Sequence, residues 1–213
     1  MKLVCLSDTH GTHESINVPD GDVLIHSGDL TNFGTLVDLI EVADWMKNKQ
    51  HKHKIMICGN HEKEVSENTQ VVKNIFEPRG IKVLHEKTLI IDGVKFWGQP
   101  RTPEFCGWGW SYFPGQEAEE IWARMPDDTD ILICHGPPLG IADACPAGVN
   151  KLKHVGCPAQ LKRIQVVKPK LVICGHIHYS YGVHSTDFET VVINAAICAE
   201  NYNPTNKPIV VKI

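Results

Sequence analysis

The chain has no C-x-x-C pair among its eight cysteines, no basic excess, no long apolar run, and no repeated or low-complexity tract. Each absence removes a class of protein. Lysine and arginine total 21 against 25 aspartates and glutamates, a net charge of −4 with histidine neutral. That excludes a protein whose main task is gripping nucleic acid, which needs a basic face. A nucleotide substrate stays open, because bound metal ions add positive charge that a residue count omits. No apolar stretch approaches the ~18 residues that span a bilayer. Met1–Leu6 runs straight into an apolar strand with neither an h-region nor a small-residue cleavage site, so the expectation is a cytoplasmic protein with reduced thiols. Cys5, Cys58, Cys134 and Cys174 each sit in an apolar run and read as buried strand thiols; Cys145 and Cys157 fall in a loop region and are not expected to pair.

Short apolar runs closing on Gly, Asp, Asn or His are present in number. Leu3–Leu6, Val23–Ile25, Lys54–Cys58, Ile131–Cys134 and Leu171–Cys174 are rich in β-branched residues and too short for helices, so they read as buried strands. Helical stretches lie between several of them. Thr35–Lys49 places Leu36, Leu39, Ile40, Ala43 and Met46 on one face, and Asn68–Phe76, Gln116–Met125 and Pro158–Val167 are shorter candidates. After residue 80, Ile81–Leu84, Thr88–Ile91 and Val94–Gly98 follow one another closely, with Asp92-Gly93 as a hairpin turn. Val191–Asn194 and Ile209–Ile213 add two more strands. Parallel βαβ units joined to hairpin strands imply an α/β protein of two mixed sheets packed together with helices outside. Nothing in the 213 residues divides the chain, so a single domain over 1–213 is expected.

Five polar motifs follow strands: Ser7-Asp8-Thr9-His10, Gly28-Asp29-Leu30, Gly59-Asn60-His61-Glu62, His135-Gly136-Pro137-Pro138 and Gly175-His176-Ile177-His178. In open α/β sheets, ligands bind at the carboxyl edge, where these motifs would emerge. Carboxylate, imidazole and amide oxygen form a mixed ligand set that suits Mn, Fe, Zn or Co, whereas calcium prefers oxygens alone. Asp8 and His10 can face one ion, and Asp29 has two oxygens with which to bridge a pair. Two ions ~3.5–4 Å apart would clamp the attacking and leaving oxygens of an in-line displacement at phosphorus, and water between them would ionise near neutral pH.

These motifs resemble those of the calcineurin-like metallophosphoesterases, and their wording is closest to the small metallophosphoesterase-domain proteins that include cyclic-nucleotide phosphodiesterases. The match runs from residue 8 to 178. The resemblance implies a four-layer α/β/β/α sandwich and a dinuclear centre. Asp8, His10 and His178 would hold one ion, Asn60, His135 and His176 the other, and Asp29 would bridge. His61 would leave the metals alone and donate a proton to the leaving oxygen. The cofactors expected are two divalent ions, manganese first, with Fe, Zn, Ni, Co or Mg also compatible. Relatives that act on phosphoproteins have an Asp-Arg pair soon after Gly-Asp. Here Gly28-Asp29 is followed by Leu30-Thr31-Asn32-Phe33-Gly34, so that bidentate clamp is missing, and Asn32 or Thr31 would supply a weaker hydrogen bond in its place. The expected substrate is a small phosphodiester, a nucleotide such as a 2′,3′- or 3′,5′-cyclic one. The alternatives are a phosphomonoesterase or nuclease with the same centre, and a scaffold that has kept the fold. Further substrate-contact candidates are His13, Arg101, and Trp108 and Trp110 in the aromatic loop 100–115, the tryptophans as base-stacking surfaces. No membrane or dedicated nucleic-acid module is expected, and the chain would act as a monomer or homodimer.

Overall fold

In the computed structural model, which describes residues 1–213, the apolar runs form strands buried on both faces. The strands are β1 (Lys2–Leu6), β2 (Val23–Ser27), β3 (His53–Ile57), β4 (Ile81–Val83), β5 (Thr88–Ile91) and β6 (Val94–Gln99). After them come β7 (Thr102–Pro103), β8 (Ser111–Tyr112), β9 (Ile131–Cys134), β10 (Ala144–Pro146) and β11 (Leu152–His154). The last four are β12 (Leu171–Cys174), β13 (Gly182–Ser185), β14 (Val191–Asn194) and β15 (Ile209–Lys212). The helices are α1 (Leu36–Lys47), α2 (Thr69–Phe76), α3 (Gln116–Ala123) and α4 (Pro158–Val167).

Two large sheets result, ordered β15-β1-β2-β3-β4 and β13-β14-β12-β9-β6-β5. Both are parallel in their centres. The exceptions lie at the edges, where β15, β13 and β5 run antiparallel to their neighbours. The strand at Ile81–Val83, read from sequence beside the hairpin strands, instead pairs in parallel with β3. The chain crosses between the sheets over the next few residues, and the hairpin proper is β5–β6, turning at Asp92-Gly93.

Three apolar clusters fill the gaps between four layers. Val4, Leu6, Leu24 and Met56 point outward to α1 and α2. Their alternating neighbours Leu3, Cys5, Ile25 and Ile55 meet Ile131, Ile133, Ile173 and Ile193 between the sheets. Leu132, Cys134 and Val172 face Ile121 and Trp122 of α3 and Ile164 of α4. The two-residue alternation of a strand thus supplies both interfaces of each sheet, and the α/β/β/α sandwich follows. Helix ends lie where their chemistry places them: Thr35 and Asn68 accept hydrogen bonds from Asp38 and Val71 as N-caps, and Pro158 opens α4.

Parallel pairing sends β1, β2 and β3 out at one edge and β9, β12 and β14 out at the corresponding edge of the other sheet. The two edges join there. Ser7 bridges to Ala196, and His135, after β9, places its Nδ1 2.9 Å from the carbonyl of Ser27 at the end of β2. No helix is long and apolar enough to cross a membrane.

Candidate metal centre and active site

Each motif turns sharply as its strand ends. Asp8, His10, Asp29 and His176 have positive φ values of 53°, 43°, 52° and 67°. Such left-handed residues cost of order 1–3 kcal/mol unless their surroundings impose them, and they concentrate at working sites. The motif glycines explain how the turns approach one another. A Cβ on Gly28 would lie 2.4 Å from His135 Nδ1, one on Gly59 2.3 Å from Asp29 Oδ1, and one on Gly175 2.0 Å from Asp8 Oδ2. In each case the side chain of another motif fills the place a side chain would take.

The polar groups converge on a small volume. Both Asp8 oxygens accept from His176 N–H at 3.0 Å, and Asp8 Oδ1 lies 3.2 Å from His178 Nε2. His178 Nε2 is also 3.2 Å from His10 Nε2. Asp29 Oδ2 lies 3.1 Å from His135 Nε2 and 3.9 Å from His10 Nε2. Asn60 Oδ1 is 3.0 Å from His135 Nε2. Ligand atoms of Asp8, His10 and His178 all lie within 4.8 Å of one another, as do those of Asp29, His135 and His176, and those of His10, Asp29 and His61. The rear nitrogens are occupied: His135 Nδ1 meets Ser27 O at 2.9 Å, and His178 Nδ1 meets Ala199 O at 3.0 Å. A carbonyl only accepts, so Nδ1 carries the hydrogen and the Nε2 lone pair faces inward, the tautomer a metal ligand needs. Oxygen and nitrogen donors converging this way fit divalent first-row ions.

The charges are arranged to match. Burial pushes the Asp8 carboxyl up, but the hydrogen bond and charge of His178, then His135, outweigh it and hold it well below the ordinary range. Burial also raises Asp29, and His135, His10 and His61 outweigh it in the same sense. Burial depresses the His135 and His178 imidazoliums, yet Asp29 and Asp8 respectively raise them to about 9 and about 8. Burial dominates at His10 and His176, which fall to about 4. A ligand nitrogen must be unprotonated, so an arriving ion displaces protons from His135 and His178.

The calcineurin-like phosphoesterase family model matches residues 1–180. The chain belongs to that family. The human metallophosphoesterase domain-containing protein 1 is 36% identical over 234 residues, spanning 100% of this chain and 71% of that protein. Among solved structures, phosphopantetheinyl hydrolase from Mycobacterium tuberculosis superposes with a TM-score of 0.67 at 12% identity, over 98% of this chain and 95% of that one. A 5′-nucleotidase precursor from Thermus thermophilus superposes with a TM-score of 0.51 at 13% identity, over 91% of this chain and 48% of that one. At such identities these structures speak for the fold alone. Family membership makes this chain a metal-dependent hydrolase of phosphoesters.

Around the centre of this calcineurin-like phosphoesterase, the structure sorts the remaining candidates. His61 lies in the cleft, its backbone N–H donating to Asp29 Oδ1 at 2.8 Å and its Nδ1 3.0 Å from Asn32 O. Asn32 is exposed beside it, so its demonstrated contact is through the main chain. Trp108 lines the cleft, with its ring stacked on His61 at 4.1 Å and 24°; that face is closed to a nucleobase. Three expectations fail. Trp110 is a core residue, 1% exposed, packed edge-on against His85 at 4.6 Å, because a large apolar ring gains more from burial than from display. Arg101 is held by Glu67 and Glu86 away from the cleft. His13 is buried edge-on against Trp45 of α1 at 5.4 Å, on the outer helical side.

Tyr202 and Asn194 lie outside the sequence motifs, whereas Glu62 belongs to Gly59-Asn60-His61-Glu62 and supports its neighbours as that motif suggests. Tyr202 lines the cleft, with its ring 4.7 Å from His10 and 5.5 Å from His178. The available signal was its place after β14, a strand that leaves the sheet at the same edge as the motifs. Asn194 ends that strand and donates to Gly175 O at 3.2 Å and Ile177 O at 2.9 Å, fixing the Gly-His-Ile-His turn. Glu62 is fully buried and braces two motifs. Oε2 accepts from Asp29 N–H at 3.1 Å and Gly59 N–H at 2.8 Å, and Oε1 from the Thr31 N–H and hydroxyl. Burial and the Asp29 charge push its carboxyl up to about 8.

Proposed function

We propose that this calcineurin-like phosphoesterase is a phosphodiesterase of small, nucleotide-like substrates, cyclic nucleotides among them, working as one catalytic domain over 1–213 in the cytoplasm. The observation that carries the reading is the lining of the cleft. Its volume is about 260 Å³, and Asn60, His61, Trp108, Tyr179 and Tyr202 contribute to its walls while no lysine or arginine does. Arg or Lys side chains would favour a phosphomonoester dianion through charge-assisted hydrogen bonds, and this lining offers none. A diester monoanion with an organic group on each oxygen suits a cleft walled by aromatic rings.

Within this reading Asp8, His10 and His178 would hold one divalent ion and Asn60, His135 and His176 a second, with Asp29 within reach of both groups and manganese the first choice. When bound, such ions polarise the phosphoryl oxygens and lower the pKa of water. The chain's own residues do the rest. Ser27 and Ala199 carbonyls fix the tautomers of His135 and His178. Glu62 holds the Asp29 and Asn60 turns in register. His61, with Nδ1 occupied by Asn32 O, presents Nε2 to the leaving oxygen and donates its proton there. His61→Ala is expected to keep both ions and slow turnover by roughly 10²–10⁴, the range of general-acid catalysis.

The test is hydrolysis of bis(p-nitrophenyl) phosphate, p-nitrophenyl phosphate, and 2′,3′- and 3′,5′-cyclic nucleotides by chelated protein resupplied with Mn, Mg, Ni or Zn. Diesters are expected to turn over faster than the monoester. Activity on the monoester with none on any diester would overturn the reading.

A further inference from the structure

The His61 imidazole is held on three sides. Its backbone is tied to Asp29 and its Nδ1 to Asn32 O at 3.0 Å, and its face lies on the Trp108 indole at 4.1 Å and 24°. The edge of His10 meets it at 4.5 Å and 77°. A histidine ring torsion has broad wells, so one hydrogen bond leaves the ring free to swing. The flat indole removes that freedom.

The loop that carries Trp108 is fastened to the same turn. Gly109 N–H donates to the Asn60 carbonyl at 3.1 Å. A Cβ at Gly109 would stand 2.9 Å from Lys63 Cα, so the loop backbone lies directly on the residues after His61. Trp110 N–H donates to Ser66 Oγ at 2.8 Å, and the Trp110 ring is sunk in the core. The two tryptophans divide the work: Trp110 anchors the loop, and Trp108 reaches back to His61.

We propose that Trp108 is a positioning residue for the leaving-group step, holding the His61 ring so that Nε2 faces the leaving oxygen. The proposal rests on the reading of His61 as proton donor. As a water oxygen bonds to phosphorus and the P–O bond to the leaving group breaks, the electron pair stays on the leaving oxygen and the proton on Nε2 transfers to it; the added water gives up one proton to solvent, and neutral His61 regains one from solvent. A misdirected ring would cost most where the leaving oxygen is a poor anion and needs that proton. It would cost little where the leaving group departs unaided.

The experiment uses the full chain resupplied with manganese and a series of methyl aryl phosphates whose leaving phenols run from p-nitrophenol to phenol. kcat and KM are measured for the wild type, Trp108→Ala, Trp108→Phe, Trp108→Leu and His61→Ala, with bound metal determined for each. For the phenol ester, Trp108→Ala is expected to lose roughly 10–100-fold in kcat, the scale of a slightly misplaced catalytic group. The p-nitrophenol ester should lose much less, and KM and metal content should hold. Trp108→Phe keeps a flat ring and restores most of the rate. Trp108→Leu keeps bulk without a flat face and behaves like alanine, which preserves the test if the alanine variant fails to fold. An equal loss across the series, or a rise in KM alone, overturns the proposal. If His61→Ala shows the leaving-group dependence and the Trp108 variants do not, the positioning role falls and the proton donor stands. If His61→Ala lacks it too, the proton-donor reading fails and takes this one with it.

Discussion

Asp29→Asn keeps the size of a side chain at the heart of the centre and removes one charge. Asp29 Oδ2 lies 3.1 Å from His135 Nε2, with both side chains buried. Burial depresses the His135 imidazolium, and Asp29, with Asp8 behind it, more than reverses this to about 9. The ordinary value is ~6.5, so the sign is fixed. Below pH ~6.5 the imidazole is charged in both folded and unfolded chains, and the pair contributes in full. As pH rises through that value the unfolded chain gives up its proton first, and the contribution is lost by the time pH passes about 9. At ~1.4 kcal/mol for each tenfold change in proton affinity, the rise from the ordinary ~6.5 to about 9 sets a ceiling of ~3–4 kcal/mol, and relaxation around a neutral asparagine lowers the expected loss to ~2–3 kcal/mol. Urea denaturation of both proteins in chelator measures it directly. The gap at pH 6 should be ~2–3 kcal/mol and at pH 9.5 below ~1 kcal/mol, with the dependence on urea unchanged. Other titrating pairs, such as Asp8 with His178, are common to both chains and largely cancel. A gap of the same size at both pH values would refute the assignment of the charge pair.

Other perturbations separate bracing from chemistry. Glu62→Ala strands the donors of Asp29, Gly59 and Thr31 in the interior, and should cost ~3–5 kcal/mol and weaken metal retention, read by thermal denaturation and metal analysis. Arg101→Ala breaks partly exposed pairs with Glu67 and Glu86; it should leave kcat/KM on the diester unchanged and cost no more than ~1 kcal/mol. Metal retention should fall with acidification, because protons on His135 and His178 compete with the ions from about 9 and about 8 downward. Equilibrium dialysis from pH 9 to 6 reads this, and affinity rising toward pH 6 would contradict it.

Much of the architecture was legible because burial on two faces leaves a simple mark. Ile131–Cys134 and Leu171–Cys174 are apolar at every position and end on a histidine or glycine motif, and the strands match those limits. The first helix was legible from its apolar face, and α1 lies within the expected Thr35–Lys49. Strands whose stability comes from partners rather than from their own residues were not. Gly182–Ser185 is Gly-Val-His-Ser and is held by pairing with β14. The β10–β11 hairpin is mostly exposed and is joined at its base by Asp143 and His154, 2.6 Å apart. The choice of sheet for Ile81–Val83 depends on where the chain crosses, which no local pattern records.

The site divides along the same line. The motif residues Asp8, His10, Asp29, Asn60, His135, His176 and His178 could be located because they sit in tight turns directly after strands. Residues that take their place from tertiary packing could not. Trp108 and Trp110 are two apart in one loop, yet one lines the cleft and the other is core. Arg101 looks free in sequence and is claimed by two glutamates. Tyr202 reaches the cleft through a turn of positive φ, 60°, after a strand with no acidic or histidine motif behind it.

In the proposed activity, the convergent Asp, Asn and His side chains bind divalent ions that drive phosphodiester hydrolysis. Chelated protein should be titrated with manganese while bound metal and bis(p-nitrophenyl) phosphate hydrolysis are followed in the same samples. Activity should be absent at the start and should reach its plateau as the second ion per chain is bound. Full diester activity in the presence of chelator, or a plateau before any ion is retained, would contradict the claim.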